Sequence, residues 1–156
     1  MLTIIGCGNT NRCDDGAGVY VAQRLNEYLA SHVHPGVRVF DAGTNGMEVM
    51  FQARGCRRLI VVDANSSGSE PGTIFEVPGE ELSNRPKPDL NLHSFRWDHA
   101  LHAGKMIFKE QFPESVTVFL IEVESLDFGI ELSDRVKAAA ERVLEIIINR
   151  LDEGNE

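Results

Sequence analysis

Short apolar runs alternate with helix-period segments along the chain. Leu2–Gly6 is a brief β-like run that ends in glycine. Val19, Ala22, Leu25 and Leu29 then recur at helical spacing, which predicts an amphipathic helix over roughly Gly16–Ala30. Val37–Asp41 alternates as a strand, and Gly46–Ala53 reads as a short helix. Leu59–Val62 is a continuous apolar run between Arg57-Arg58 and Asp63-Ala64-Asn65-Ser66, the pattern of a strand buried on both faces. Thr73–Val77 is a further strand. Pro78 to Leu92 carries three prolines and many polar residues, so a long functional or mobile loop is expected there. Ser94–Lys109 has helical composition, with Trp97, Leu101, Gly104 and Phe108 along one face. Ser115–Glu122 is a strand. Ser133 is a plausible N-cap for a last helix whose apolar face is Val136, Ala140, Val143, Ile147 and Leu151.

The order βαβαββαβα calls for an α/β fold, a three-layer αβα sandwich around a mixed, mainly parallel five-stranded sheet. No internal repeat or linker divides the 156 residues, so one domain over 1–156 is expected. Hydrophobic residues make up 42% and charged residues 25%, which argues against a disordered chain or a rod. Fifteen basic and twenty-four acidic residues leave a formal charge of −9, so neither nucleic acid nor an anionic membrane is an expected partner. The start of the chain has no secretion-signal pattern, and no apolar run approaches the roughly 20 residues that span a bilayer. The three cysteines, Cys7, Cys13 and Cys56, form no C-x-x-C pair and fit a reducing compartment. A soluble cytoplasmic protein is expected, and a monomer, since no exposed apolar stripe is evident.

In such sheets ligands bind at the carboxyl ends of the strands, near the point where strand order reverses. Asp14-Asp15 follows the first strand, Asp41 ends the second and Asp63 ends the third, while His93 closes the proline-rich loop. Several carboxylates and an imidazole at one rim require a cation, a proton or hydrogen-bond donors. The competing reading makes each aspartate a cap or turn residue. Gly6-Cys7-Gly8-Asn9-Thr10-Asn11 invites a dinucleotide reading, but Asn11 stands where the third glycine belongs, and Asp14-Asp15 would repel a pyrophosphate. Cys13 is a poor nucleophile beside two carboxylates, and Cys7 and Cys56 read as packing residues. His32 and His34, next to Pro35, read as solvated. His99 and His102, three apart and beside Asp98, read as a polar helix surface that could in principle hold a metal.

Gly6-Cys7-Gly8-Asn9 with Asp14-Asp15-Gly16-Ala17-Gly18 resembles the G-x-G-N…D-[DE]-G-x-G opening of the nickel-iron hydrogenase maturation proteases. Asp41-Ala42-Gly43-Thr44-Asn45-Gly46 is similar to their second block. Asp63-Ala64 with Pro71-Gly72-Thr73 is similar to the third, and His93 at the start of a helix to the fourth. The match keeps its order from about residue 3 to residue 133, including Glu124-Ser125-Leu126 and Leu132-Ser133. The resemblance implies an endopeptidase that removes the C-terminal extension of a hydrogenase large-subunit precursor after nickel insertion. Carried over residue by residue, the metal-contacting trio falls on Asp15, Asp63 and His93. Relatives often have Glu at the first of these positions, and Asp15 is one methylene shorter. His99 is a rival to His93, because His93-Ser94-Phe95-Arg96-Trp97-Asp98-His99 looks like one subgroup's histidine block. Asp41 is a possible base or orienting residue beside Asp15 and Asp63. Nickel would be carried by the precursor, and two carboxylates with one imidazole suit a borderline divalent ion while leaving positions open. Two rival classes remain: a non-catalytic nickel carrier or scaffold, and a small-ligand or nucleotide-binding domain.

Overall fold

The computed structural model describes residues 1–82 and 97–154. The strands are β1 (Leu2–Cys7), β2 (Val37–Gly43), β3 (Arg58–Asn65), β4 (Ile74–Pro78) and β5 (Ser115–Glu122). The helices are α1 (Ala17–Ser31), α2 (Gly46–Ala53), α3 (Gly79–Leu82), α4 (Trp97–Phe108) and α5 (Asp134–Glu153), with 3₁₀ turns at Cys13–Gly16 and Lys109–Gln111. The strands form one five-stranded sheet in the order β2-β1-β3-β5-β4. β4 runs antiparallel to β5, and the other neighbours are parallel.

Period-two alternation in the central strands splits the core into two layers. Ile4, Ile60, Val62, Phe119 and Ile121 face one side, where Val21 and Leu25 of α1 and Val136, Val143 and Ile147 of α5 cover them. Ile5, Leu59, Val61, Val118 and Leu120 face the other side, under Val49 and Ala53 of α2 and Trp97 and Leu101 of α4. Each fully buried aliphatic side chain contributes about 1.5–3 kcal/mol relative to exposure, so these two layers supply the main drive for folding. A charged substitution at Val61 would open either the strand ladder or the α2–α4 layer.

The connection through α1 carries the chain from β1 to β2 on one flank, and the one through α2 carries it back to β3 on the other. Strand order therefore reverses between β1 and β3, which opens a crevice at their carboxyl ends. β3 runs three residues beyond the apolar run at Val62, because β5 stays alongside it: Asp63 pairs with Leu120, Ala64 with Ile121 and Asn65 with Glu122. Asp63 thus sits within a central strand rather than after it. β2 likewise continues past Asp41 to Gly43.

Other expectations need correction. The first residues of the proline-rich stretch are regular: Pro78 closes β4, and Gly79–Leu82 forms α3. His34 is not solvated: its side chain is 8% exposed, with Nε2 3.4 Å from the Asp152 carboxylate. His32 is exposed and stacks on Tyr28 at 4.1 Å between ring centroids. Within α4, His99 is buried and His102 exposed, so the two do not form one polar surface. Among the described residues no helix is long and apolar enough to cross a membrane.

Candidate active site

Two glycines let the first loop fold against the sheet. Gly8 has φ +135°, and a Cβ there would meet the Asp15 carbonyl oxygen at 1.8 Å and Asp63 Oδ1 at 3.7 Å. The Asp15 backbone and the Asp63 carboxylate therefore flank Gly8 directly. A Cβ on Gly18 would come within 2.2 Å of the Val62 carbonyl oxygen and 2.4 Å of that of Cys7, so the first turn of α1 lies on the backbones of β3 and β1. The glycines of the opening block serve close packing, with no phosphate needed to explain them.

Asp14 and Asp15 are neighbours with different environments. Asp14 is fully buried, and its Oδ2 accepts from Glu124 N–H, Ser125 N–H and the Ser133 hydroxyl, each at 2.9 Å. Its Oδ1 accepts from Ser133 N–H at 2.7 Å. This carboxylate ties the first loop to the segment between β5 and α5, a structural role. Ser133 does occupy the N-cap position of α5, but it makes no side-chain cap bond, because its hydroxyl is given to Asp14. Asp15 is partly exposed, and its Oδ2 accepts from Asn9 N–H at 2.9 Å.

Asp63 is 5% exposed. Its Oδ1 accepts from Ala64 N–H at 2.8 Å and its Oδ2 from the Trp97 indole N–H at 2.7 Å. Trp97 thus does more than pack: it opens α4 and fixes the Asp63 carboxylate. Asp15, Asp63 and Trp97 line one cleft of about 370 Å³, together with Gly8, Asn45 and Asn65. No lysine or arginine is among its described lining residues. Two carboxylates with no basic residue among the described lining make this part of the cleft electronegative, which attracts a cation and disfavours a phosphate.

Asp41 stands apart from this arrangement. It is exposed, its Oδ1 accepts from Gly43 N–H at 2.9 Å in an Asx turn, and it is not among the cleft-lining residues. Asn45, from the same block, caps α2 by accepting from Glu48 N–H at 3.2 Å. His93 lies outside the described residues. His99 does not line the cleft. Among the described residues no group of three His, Cys, Asp or Glu side chains is arranged to hold a metal. Cys7 borders the cleft as part of the core layer, and burial pushes the Cys56 thiol above its ordinary pKa, so Cys56 is a packing residue.

Glu122 went unmarked in the sequence. It is 2% exposed, yet Oε1 accepts from Ser67 and Gly68 N–H at 2.7 and 2.9 Å, and Oε2 from Asn65 Nδ2 and Ser67 Oγ at 2.8 and 3.0 Å. Burial raises its pKa, but those donors outweigh burial and leave it below the ordinary carboxylate value. Glu122 holds the turn after Asn65, one wall of the cleft, in place. A larger hollow of about 650 Å³ lies at the opposite end of the parallel strands, between β4, β5 and α4. Its charges are mixed, with Glu76 and Glu80 against His102 and Lys105, and none of the marked aspartates reaches it.

The family model described as HycI, hydrogenase maturation protease, matches residues 19–150. The chain belongs to the hydrogenase maturation protease family. Among its relatives is the Hydrogenase 2 maturation protease of Escherichia coli, 29% identical, with 97% of this chain and 91% of that protein covered. The hydrogenase expression/formation protein HoxM of Azotobacter vinelandii is 30% identical over 97% of this chain and 72% of its own length. Among solved structures, the hydrogenase maturating endopeptidase HybD from E. coli superposes with a TM-score of 0.82 at 28% identity, covering 98% of this chain and 93% of that one. The mixed five-stranded α/β architecture is the one these maturation proteases share.

Proposed function

We propose that this member of the family is an endopeptidase that removes the C-terminal extension of a nickel-iron hydrogenase large-subunit precursor, and that it recognises nickel already seated in that precursor. The observation that carries the reading is the meeting of Asp15 and Asp63 in one cleft, with no lysine or arginine among its described lining residues. A carboxylate offers about four lone-pair positions, and Asp15 accepts one bond from Asn9 while Asp63 accepts from Ala64 and Trp97. Oxygen ligands from these two aspartates, with the imidazole of His93, suit a borderline divalent ion. Three protein ligands leave positions for the thiolates that hold nickel in the substrate. The ion is then part of what is recognised, not a resident cofactor.

Hydrolysis at such a site has two sources of activation. A carboxylate can take a proton from an attacking water, and the substrate's own ion can polarise the carbonyl it touches. Asp63 is the better placed residue, since the Trp97 indole and the β3 backbone fix its position. Asp41 takes no part in this reading, because it does not line the cleft where Asp15 and Asp63 meet.

The test is cleavage of purified, nickel-loaded precursor, read as a change in mass. The wild-type protein shortens the precursor, whereas Asp63→Asn and Asp15→Asn leave it whole while melting as folded proteins. A wild-type protein that binds the precursor without changing its mass would instead be a carrier or scaffold.

A further inference from the structure

The segment between β5 and α5 displays large apolar side chains on a rigid support. Phe128 is 90% exposed and Ile130 81% exposed. Isolated apolar residues are normal on a surface, but two of them one residue apart on a fixed loop are less so. The support is built from both sides. Asp14 takes the backbone N–H groups of Glu124 and Ser125 at one end and that of Ser133 at the other. Between them, Cys13 N–H donates to the Gly129 carbonyl at 2.8 Å, and Gly129 N–H donates to that of Asn11 at 3.0 Å. The Arg12 guanidinium donates from Nε and Nη2 to the Leu126 carbonyl and lies 5.4 Å from the centre of the Phe128 ring. The apolar pair is thus held out toward solvent by the same loop that presents Asp15. It is also continuous with the cleft, because Leu126, two positions before Phe128, is one of the lining residues.

We propose that Phe128 and Ile130, with Arg12 beneath Phe128, form the anchor that holds the folded body of the precursor next to the cleft by meeting an apolar patch on it. This rests on the cleft being the site of cleavage. Phenylalanine and arginine are both enriched at protein–protein interfaces relative to the rest of the surface. A loop already ordered by backbone bonds loses little entropy on docking, so the contact is used for affinity. The anchor lies two to four positions along the chain from Leu126, a cleft-lining residue, which puts it close to a protein whose tail enters the cleft.

The experiment measures precursor cleavage as KM and kcat, with sedimentation of the enzyme alone, for wild type, Phe128→Ser/Ile130→Ser and Met106→Ser/Ile107→Ser. The last pair is also exposed, but lies at the far end of α4, about 15 Å along the helix from Trp97. The expected result is a KM raised about tenfold or more for the first variant, with kcat unchanged and the second variant like wild type. An unchanged KM for the first variant, or an equal rise for both, overturns the proposal. So does a wild-type dimer that the first variant dissociates, since a second copy would then cover the patch. Precursor left whole by the wild-type protein would be a failure of the cleavage reading itself, and the anchor would fall with it.

Discussion

Replacing Asp14 by Asn tests whether the two adjacent aspartates of the first loop have separate jobs. In the best amide orientation the side-chain oxygen keeps the Oδ2 position and continues to accept from Glu124, Ser125 and the Ser133 hydroxyl. The amide nitrogen must then face Ser133 N–H across 2.7 Å, donor against donor. Leaving that buried N–H unmatched costs about 1–3 kcal/mol. The bonds that remain pass from a charged to a neutral acceptor, at about 1 kcal/mol each. Relief from burying a charge offsets part of this, so the net loss is about 2–4 kcal/mol. For a chain of this length that corresponds to a melting temperature about 5–15 °C lower, followed by far-UV circular dichroism at pH 7. Asp15→Asn, at a partly exposed carboxylate, should melt within about 3 °C of wild type and yet lose processing. An Asp14→Asn protein as stable as wild type would refute the structural role given to this carboxylate. If Asp15→Asn were the unstable one, the assignment of the pair would be reversed.

Trp97→Phe removes the indole donor to Asp63 while keeping an aromatic ring, and should cost about 1.5–3 kcal/mol in urea unfolding and slow cleavage; full activity would mean that Asp63 needs no such support. Glu122 is held below its ordinary value of 4.5, so its contribution to stability is fully present above that pH and is lost as pH falls through the lower folded value. Urea midpoints of Glu122→Gln should therefore fall less steeply with acid below about pH 4.5 than those of wild type, and parallel profiles would contradict this. Gly18→Ala puts a methyl group against the backbones of Val62 and Cys7 and should destabilise by about 3 kcal/mol or more; a neutral effect would show that α1 can lift from the sheet.

What the sequence reveals about the fold is what depends on local periodicity. α2 spans Gly46–Ala53 and β5 spans Ser115–Glu122, as the apolar pattern indicates, because each has one dominant burial period. β3 outruns its apolar stretch because strand length is set by its partner β5, which is remote in the chain. The site shows the same division. Asp15 and Asp63 stand out by their place after or near the ends of parallel strands. Nothing local separates Asp14 from Asp15, since the donors that occupy Asp14 come from residues 110–119 positions away. Trp97 reads as one member of an apolar face, and its bond to Asp63 spans 34 positions. Glu122 likewise meets Ser67 across 55 positions. Ser133 looks like a cap from its neighbours alone, but tertiary contact redirects its hydroxyl to Asp14. Asp41 ends an apolar run in the manner of a site residue, whereas its geometry is that of a turn.

The proposed recognition depends on a cation in the substrate meeting Asp15 and Asp63. The most direct measurement is to incubate the protein with nickel-loaded and nickel-free precursor side by side and weigh each product by mass spectrometry. Only the nickel-loaded precursor should be shortened by wild type, and Asp63→Asn should shorten neither. Equal shortening of both precursors would contradict it, because the two carboxylates would then be cutting without the ion they are proposed to recognise.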